Sequence, residues 1–267
     1  MRFGGVRYEG SSFLELLMRE HGELAPRIDL APDAGARLSG SIPHGTTVVS
    51  LKYADGALIA GDRLATEGYQ VAMRTIEKVF KTDEHSAMAI AGAAGPCVEM
   101  ARLFRIELEH YEKLEGVELD LEGKANKLGQ MIRQNLPMAM QGLVVVPLFT
   151  GYDLKQSSGR IFKYDVTGGH YEEIDYYAIG SGGKDARSSL KKLYKQGASE
   201  ESAVRMVLEA LFDAADEDRG TGGVDTIRGI YPTIKLVTSK GITDIGQDRI
   251  KAAFAEIVKA RRAEEAA

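Results

Sequence analysis

Gly45-Thr46-Thr47-Val48-Val49-Ser50-Leu51-Lys52-Tyr53 and Ala57-Leu58-Ile59-Ala60-Gly61-Asp62, joined through Ala54-Asp55-Gly56, decide how this chain is read. Both runs are rich in β-branched and apolar residues, and Asp-Gly between them is turn chemistry, so they read as a hairpin. Thr46 heads its first strand. A threonine hydroxyl is a weak nucleophile near neutrality, but a threonine at a chain terminus carries its own base. A free α-amino group titrates at about 7.7–8.0, close to the working range of such a base. Cleavage just before Thr46 would create that residue, and Gly45 tolerates the backbone conformation that an attack on its carbonyl demands.

A lysine beside the terminus would depress the amine's pKa and ease loss of the hydroxyl proton, and it would need a carboxylate to hold it charged. Asp62 closes the second strand, so hairpin register can carry its carboxylate back to the terminus, and Lys78 follows in Glu77-Lys78-Val79. On spacing alone such a pair is more often a surface salt bridge; its place relative to Gly45-Thr46 gives it meaning. Ala91-Gly92-Ala93-Ala94-Gly95-Pro96 runs from a strand into a helix start, where main-chain N–H groups lack partners. Gly92 could offer its N–H to a developing oxyanion, a contribution of about 3–4 kcal/mol, or could be only the small residue of a tight turn. Gly180-Ser181-Gly182-Gly183 and Asp218-Arg219-Gly220-Thr221-Gly222-Gly223 are two further polar turns. Lys184 is followed by Asp185, so the first of them is not a phosphate loop.

Residues 1–45 read as a propeptide removed on maturation, and 46–267 as one catalytic domain. Ser11–Glu20 can form an amphipathic helical turn or two, but Pro26, Pro32, Gly35, Gly40 and Pro43 interrupt the rest of that segment. Beyond the hairpin, strands are expected over 76–82, 86–91, 144–152, 159–165, 176–180, 233–238 and 241–245. Helices are expected from Pro96, with Val98, Ala101, Phe104, Leu108 and Tyr111 on one stripe, over 121–140, 184–195 and 200–218, and from Arg249. Strands and helices in separate blocks predict an α+β fold of antiparallel sheets with helices on their faces.

Composition narrows the function. The chain is 44% apolar and 27% charged, as ordinary globular proteins are, and its net charge of −5 argues against a nucleic-acid surface. No apolar run is long enough to span a bilayer, and Phe13–Met18 is too short and interrupted for a secretory signal, so a cytoplasmic home is expected. Cys97, the single cysteine, excludes an internal disulfide. None of the five histidines is linked to it by a pattern, so it reads as a small buried residue. No His, Asp or Glu cluster has metal-ligand spacing, and no cofactor is expected. The acidic run at Asp213–Asp218 and the segment Lys259–Glu265 read as solvated helix ends.

Taken together, Gly45-Thr46-Thr47, Ala60-Gly61-Asp62-Arg63, Lys78, Ala91-Gly92, Gly180-Ser181-Gly182 and Asp218-Arg219-Gly220-Thr221-Gly222-Gly223 resemble the proteasome β subunits. The long leader and Ala214–Gly223 are most similar to the actinobacterial form. The resemblance implies a four-layer αββα sandwich, the fold of N-terminal-nucleophile hydrolases, and a threonine endopeptidase that frees its own terminus between Gly45 and Thr46. It implies Thr46 as nucleophile, Asp62 and Lys78 as the groups that tune it, and the Gly92 N–H as oxyanion donor. Ser181, Asp218 and Thr221 would complete the hydrogen bonds around the amine, Thr221 standing where many members have serine. Thr66 would pair its backbone with an extended substrate. Ala65, Ile76, Phe80, Ile90, Ala94 and Val98 would surround the specificity pocket; all are apolar, which implies cleavage after bulky apolar residues. The implied partners are other β subunits in two stacked heptameric rings, α subunits, a gate-opening ATPase ring and pupylated or unfolded proteins, with no nucleic acid or membrane. The alternatives are a simpler bacterial two-ring threonine protease, a small-amide hydrolase of the same class, or a non-catalytic assembly subunit.

Overall fold

The computed structural model describes residues 45–67 and 70–265; the leader ahead of Gly45, including the expected turn at Ser11–Glu20, lies outside them. The hairpin forms as read. β1 (Thr47–Tyr53) pairs antiparallel with β2 (Gly56–Gly61), from Tyr53 opposite Gly56 to Val48 opposite Gly61. A short hairpin of β3 (Ala65–Glu67) and β4 (Gln70–Met73) follows, then β5 (Val79–Lys81) and β6 (Ser86–Gly92). Next come α1 (Ala94–Glu115), α2 (Leu121–Gln134) and a short α3 (Leu136–Ala139). Strands β7 (Val145–Asp153), β8 (Ser158–Tyr164), β9 (His170–Glu173) and β10 (Tyr176–Gly180) lead to α4 (Gly183–Leu193) and α5 (Glu200–Glu217). The chain closes with β11 (Thr233–Thr238), β12 (Gly241–Asp244) and α6 (Gln247–Glu265).

Two five-stranded antiparallel sheets result, in the orders β10-β1-β2-β11-β12 and β5-β6-β7-β8-β9. The two-residue period of each strand sorts its side chains into separate cores. Val48, Ile59, Ile179 and Val237 from the first sheet meet Val79, Ala89, Leu148 and Ile161 from the second. On the far side of the first sheet, Val49, Leu51 and Leu58 pack against Leu190 of α4, Val207 and Leu211 of α5, and Ile257 of α6. Beyond the second sheet, Met88, Phe149 and Phe162 pack against Phe104 of α1 and Leu128 and Ile132 of α2. These three cores separate four layers, αββα. Both sheets are covered on both faces, which is why their central strands read as nearly continuous apolar runs. Leu148 is fully buried between the sheets, so truncating it to alanine would cost about 2–5 kcal/mol.

Several boundaries differ from the sequence reading for identifiable reasons. Helix α1 begins at Ala94, two residues before Pro96, and its buried stripe takes Cys97 and Met100, whereas Val98 is 47% exposed. The helix expected over 121–140 breaks at Asn135, because Pro137 cannot supply an intrahelical N–H. Strands β3, β4 and β9 were not expected; β3 is only three residues long, and β4 is exposed throughout and has no buried face to leave an alternating pattern. Arg261 is not simply solvated: its guanidinium lies over the Phe212 ring and pairs with Asp213.

Candidate active site

The hairpin register and one glycine assemble the polar centre. Val48 lies opposite Gly61, so the next residue outward on each strand brings Asp62 beside Thr47. A Cβ on Gly61 would stand 3.1 Å from both Val48 and Val79, so the small residue lets β5 approach the end of β2. Lys78, immediately before β5, therefore reaches Asp62 across the sheets, with its Nζ 2.6 Å from Oδ1. Asp62 is 1% exposed and its carboxylate is fully engaged. Oδ1 also accepts from Thr47 N at 2.7 Å, and Oδ2 accepts from Leu64 N at 3.0 Å and Gly222 N at 2.8 Å. A buried pair with its remaining lone pairs satisfied in this way is the form in which burial is tolerated.

Lys78 also donates to the Gly45 carbonyl oxygen at 3.1 Å, and the Thr46 hydroxyl lies 2.6 Å from that same oxygen. Burial pushes the Lys78 pKa below its ordinary value, against the charge and hydrogen bond of Asp62, which raise it. Gly45 has no room for a side chain: a Cβ there would lie 2.5 Å from Gly220 O and 2.7 Å from Thr66 Oγ1.

The second polar group comes from β10, which flanks the same end of β1 on its other side, and from the helix caps. Gly180 pairs with Thr47, and the chain then turns so that Ser181 N donates to Thr46 O at 2.9 Å. Ser181 Oγ donates to Asp218 Oδ2 at 2.6 Å and lies 3.5 Å from Thr46 N. Asp218 caps the C-terminus of α5 and also accepts from Thr221 Oγ1 at 2.6 Å and Gly220 N at 3.1 Å. Burial raises its pKa, but the hydrogen bonds from Ser181, Thr221 and Gly220 and the Lys78 charge outweigh that and hold it below the ordinary carboxylate value.

A small cleft opens beside Thr46. Ala65, Ile76, Phe80, Ile90, Ala94 and Val98 all line it, together with Gly45, Lys78 and Gly92. Phe80 and Ile90 also belong to the core under α1 and α2. Two lining residues escaped the sequence reading. Glu77 contributes, but its carboxylate oxygens accept from Val79 N and Thr233 Oγ1. Cys97 also contributes; burial pushes its thiol up to about 12, which keeps it an inert wall. Gly92, with φ of +126°, ends β6 where a Cβ would fall 2.0 Å from Val144 O, so only glycine fits. Thr66 lies on β3, whose only strand partner among the described residues is β4.

Residues 42–228 match the family model for proteasome subunits. The chain belongs to the proteasome subunit family. Among its proteasome relatives, the proteasome subunit beta of Acidimicrobium ferrooxidans is 51% identical over 253 residues, covering 95% of this chain and 91% of that protein. The proteasome subunit beta of Acidothermus cellulolyticus is 51% identical over 257 residues, covering 95% and 88%, and that of Rhodococcus erythropolis is 50% identical over 260 residues, covering 95% and 89%. The chain is thus a proteasome core subunit of the actinobacterial β type, in a family of N-terminal-nucleophile threonine proteases.

Elsewhere among the described residues, the fold brings together one group that spacing could not reveal. Glu84, His85 and Glu118 lie with ligand atoms within 4.8 Å of one another. Glu118 arrives from the α1–α2 connection, and Lys124 pairs with its carboxylate. Among the described residues no helix is long and apolar enough to cross a membrane.

Proposed function

We propose that this subunit is a threonine endopeptidase that cuts its own chain between Gly45 and Thr46 and then uses the freed terminus on substrate proteins. The observation that carries the reading is the convergence on one carbonyl: Lys78 Nζ and the Thr46 hydroxyl both lie within hydrogen-bond reach of Gly45 O. An ammonium at that oxygen favours the negative charge that develops there when the neighbouring carbon is attacked. Thr46 Oγ1 adds to the Gly45 carbon, the Thr46 nitrogen leaves and takes up a proton, and water hydrolyses the resulting ester. The product is an N-terminal threonine with hydroxyl and amine on one residue.

In the mature enzyme the Thr46 amine takes the hydroxyl proton as Oγ1 attacks a peptide carbonyl. Lys78, held by Asp62, keeps positive charge beside both and so lowers the amine's pKa and the hydroxyl's proton affinity. The Gly92 N–H receives the oxyanion. Ser181, Asp218 and Thr221 fix the amine side. An extended substrate pairs with the backbone at Thr66 and presents its side chain to the cleft. Away from Thr46 and Lys78 at the reacting end, that lining is apolar apart from Glu77, whose carboxylate is held by its own neighbours, which supports cleavage after bulky apolar residues. Stacked heptameric β rings between α rings, fed in the cytoplasm by an ATPase with unfolded or pupylated proteins, complete the reading.

The test is chemical. Intact mass and N-terminal sequencing of the assembled particle should give a chain starting at Thr46. An electrophile that must bond both a hydroxyl and an amine of one residue should label that chain stoichiometrically. A particle that digests peptides while keeping its leader, or that resists the reagent, would refute the reading.

A further inference from the structure

We infer that the Thr47 hydroxyl is a positioning group for the reaction, a donor in one of two hydrogen-bond arms that converge on Asp218, the other of which begins at the Thr46 amine. The inference rests on the reading of Thr46 as nucleophile. Nothing in the sequence assigns Thr47 a role beyond following Thr46 in the Gly45-Thr46-Thr47 stretch, yet it is fully buried and its hydroxyl lies 2.6 Å from Thr221 Oγ1.

Counting protons fixes the direction. Asp218 is held ionised and can only accept, so Thr221 must spend its one hydroxyl proton on Asp218 Oδ2 at 2.6 Å. Thr47 must then donate to Thr221. Its own oxygen accepts from Gly182 N at 3.0 Å, so the hydroxyl is used on both sides. From the other direction Ser181 spends its proton on the same Oδ2 at 2.6 Å and not on Thr46 O at 3.3 Å, the charge-assisted bond being the shorter. The Ser181 lone pair is thereby left to accept from Thr46 N, 3.5 Å away. Two arms, Gly182 to Thr47 to Thr221 and Thr46 to Ser181, converge on Asp218, and each donor polarises the next.

The packing is built around this contact. A Cβ on Gly182 would stand 2.5 Å from Thr221 Oγ1 and 2.7 Å from Thr47 Oγ1, so a side chain there would wedge the two hydroxyls apart. Thr47 also donates its N–H to Asp62 Oδ1 at 2.7 Å. One residue therefore ties the Asp62–Lys78 pair, through its backbone, to the Asp218 network, through its side chain.

Thr47→Val keeps the shape and removes the hydroxyl. Thr221 loses its donor and is free to turn from Asp218, whose charge is then less compensated and favours a protonated Thr46 amine. In assembled, mass-verified particles, kcat should fall about tenfold, with KM within twofold of the parent, as for partial loss of base orientation. The acid limb of kcat/KM should move to higher pH. Thr47→Ser, which restores the hydroxyl without the methyl, should restore both. Unchanged kcat and pH profile in Thr47→Val, or equal impairment in Thr47→Ser, would overturn the inference. Should the valine variant fail to assemble, Thr47→Ser against Thr47→Cys decides it: the thiol, a poor donor, must show the rate loss and the shifted limb, and the serine must not. Thr46→Ala separates the two readings. If it stays active, the nucleophile assignment fails; if it is inactive while Thr47→Val is normal, only the role of Thr47 fails.

Discussion

Gly45→Ala should mature about a hundredfold more slowly than the parent chain while leaving the mature enzyme untouched. The added Cβ would sit 2.5 Å from Gly220 O and 2.9 Å from Gly220 Cα, both backbone atoms with no rotamer to yield. Restoring an ordinary contact of about 3.4 Å means moving the junction by roughly 0.9 Å, and a misplacement of about 1 Å between reacting groups costs on the order of 10²-fold in rate. The displaced atoms are those of the scissile residue, whose carbonyl oxygen is gripped by Lys78 at 3.1 Å. The assay is a time course of intact mass after the full chain is assembled with its partner subunits. A second chain, released with Thr46 already at its terminus, should show parental peptidase activity, since Gly45 is absent from the mature enzyme. Gly45→Ala processed within twofold of the parental rate would refute the argument that this space matters.

Thr46→Ala should leave the junction intact and the particle without peptidase activity, read by mass and by a fluorogenic peptide. Asp62→Asn leaves the buried Lys78 ammonium without its counter-charge, so stability should fall by about 3–5 kcal/mol. Adding Lys78→Met should recover much of that stability but no activity, and thermal unfolding with peptidase assays would separate the two effects. Because burial depresses the Lys78 pKa below 10.5, activity should decline on the alkaline side at a pH below that of a free lysine. The folded protein binds fewer protons than the unfolded chain between those two values, so the Lys78 contribution to stability rises with pH there. Lys78→Arg, which stays charged, should abolish that alkaline limb whatever its residual rate. Across a peptide panel, substrates with bulky apolar residues before the cut should have the highest kcat/KM; preference for arginine or glutamate would contradict the apolar cleft.

Most of the site was legible because its residues sit at punctuation in the sequence. Thr46 stands just before a strand, Asp62 just after one, Gly92 and Ser181 mark strand-to-helix turns, and Asp218 caps a helix, so each showed as a polar residue or glycine where an apolar pattern stops. The apolar pocket residues were reached only through the family resemblance, since nothing in their periodicity separates Ile90 in a core from Ile90 beside a cleft, and it is in both. Glu77, Cys97 and Thr47 carried no signal of that kind. Strands β3, β4 and β9 were missed because very short, exposed or partly exposed strands leave no two-residue alternation to find.

Sequence alone determined the strand and helix blocks, the αββα layering through the resemblance, and which residue types stand at the strand ends, because these follow from local periodicity and turn chemistry. Only the tertiary structure decided which hydrogen each hydroxyl spends, how Lys78 reaches Asp62 across two sheets, and why residues 45 and 182 admit no side chain. Those facts depend on distances between segments far apart in the chain, and a few tenths of an ångström at Gly61 or Gly220, invisible in any local pattern, decide whether the groups meet.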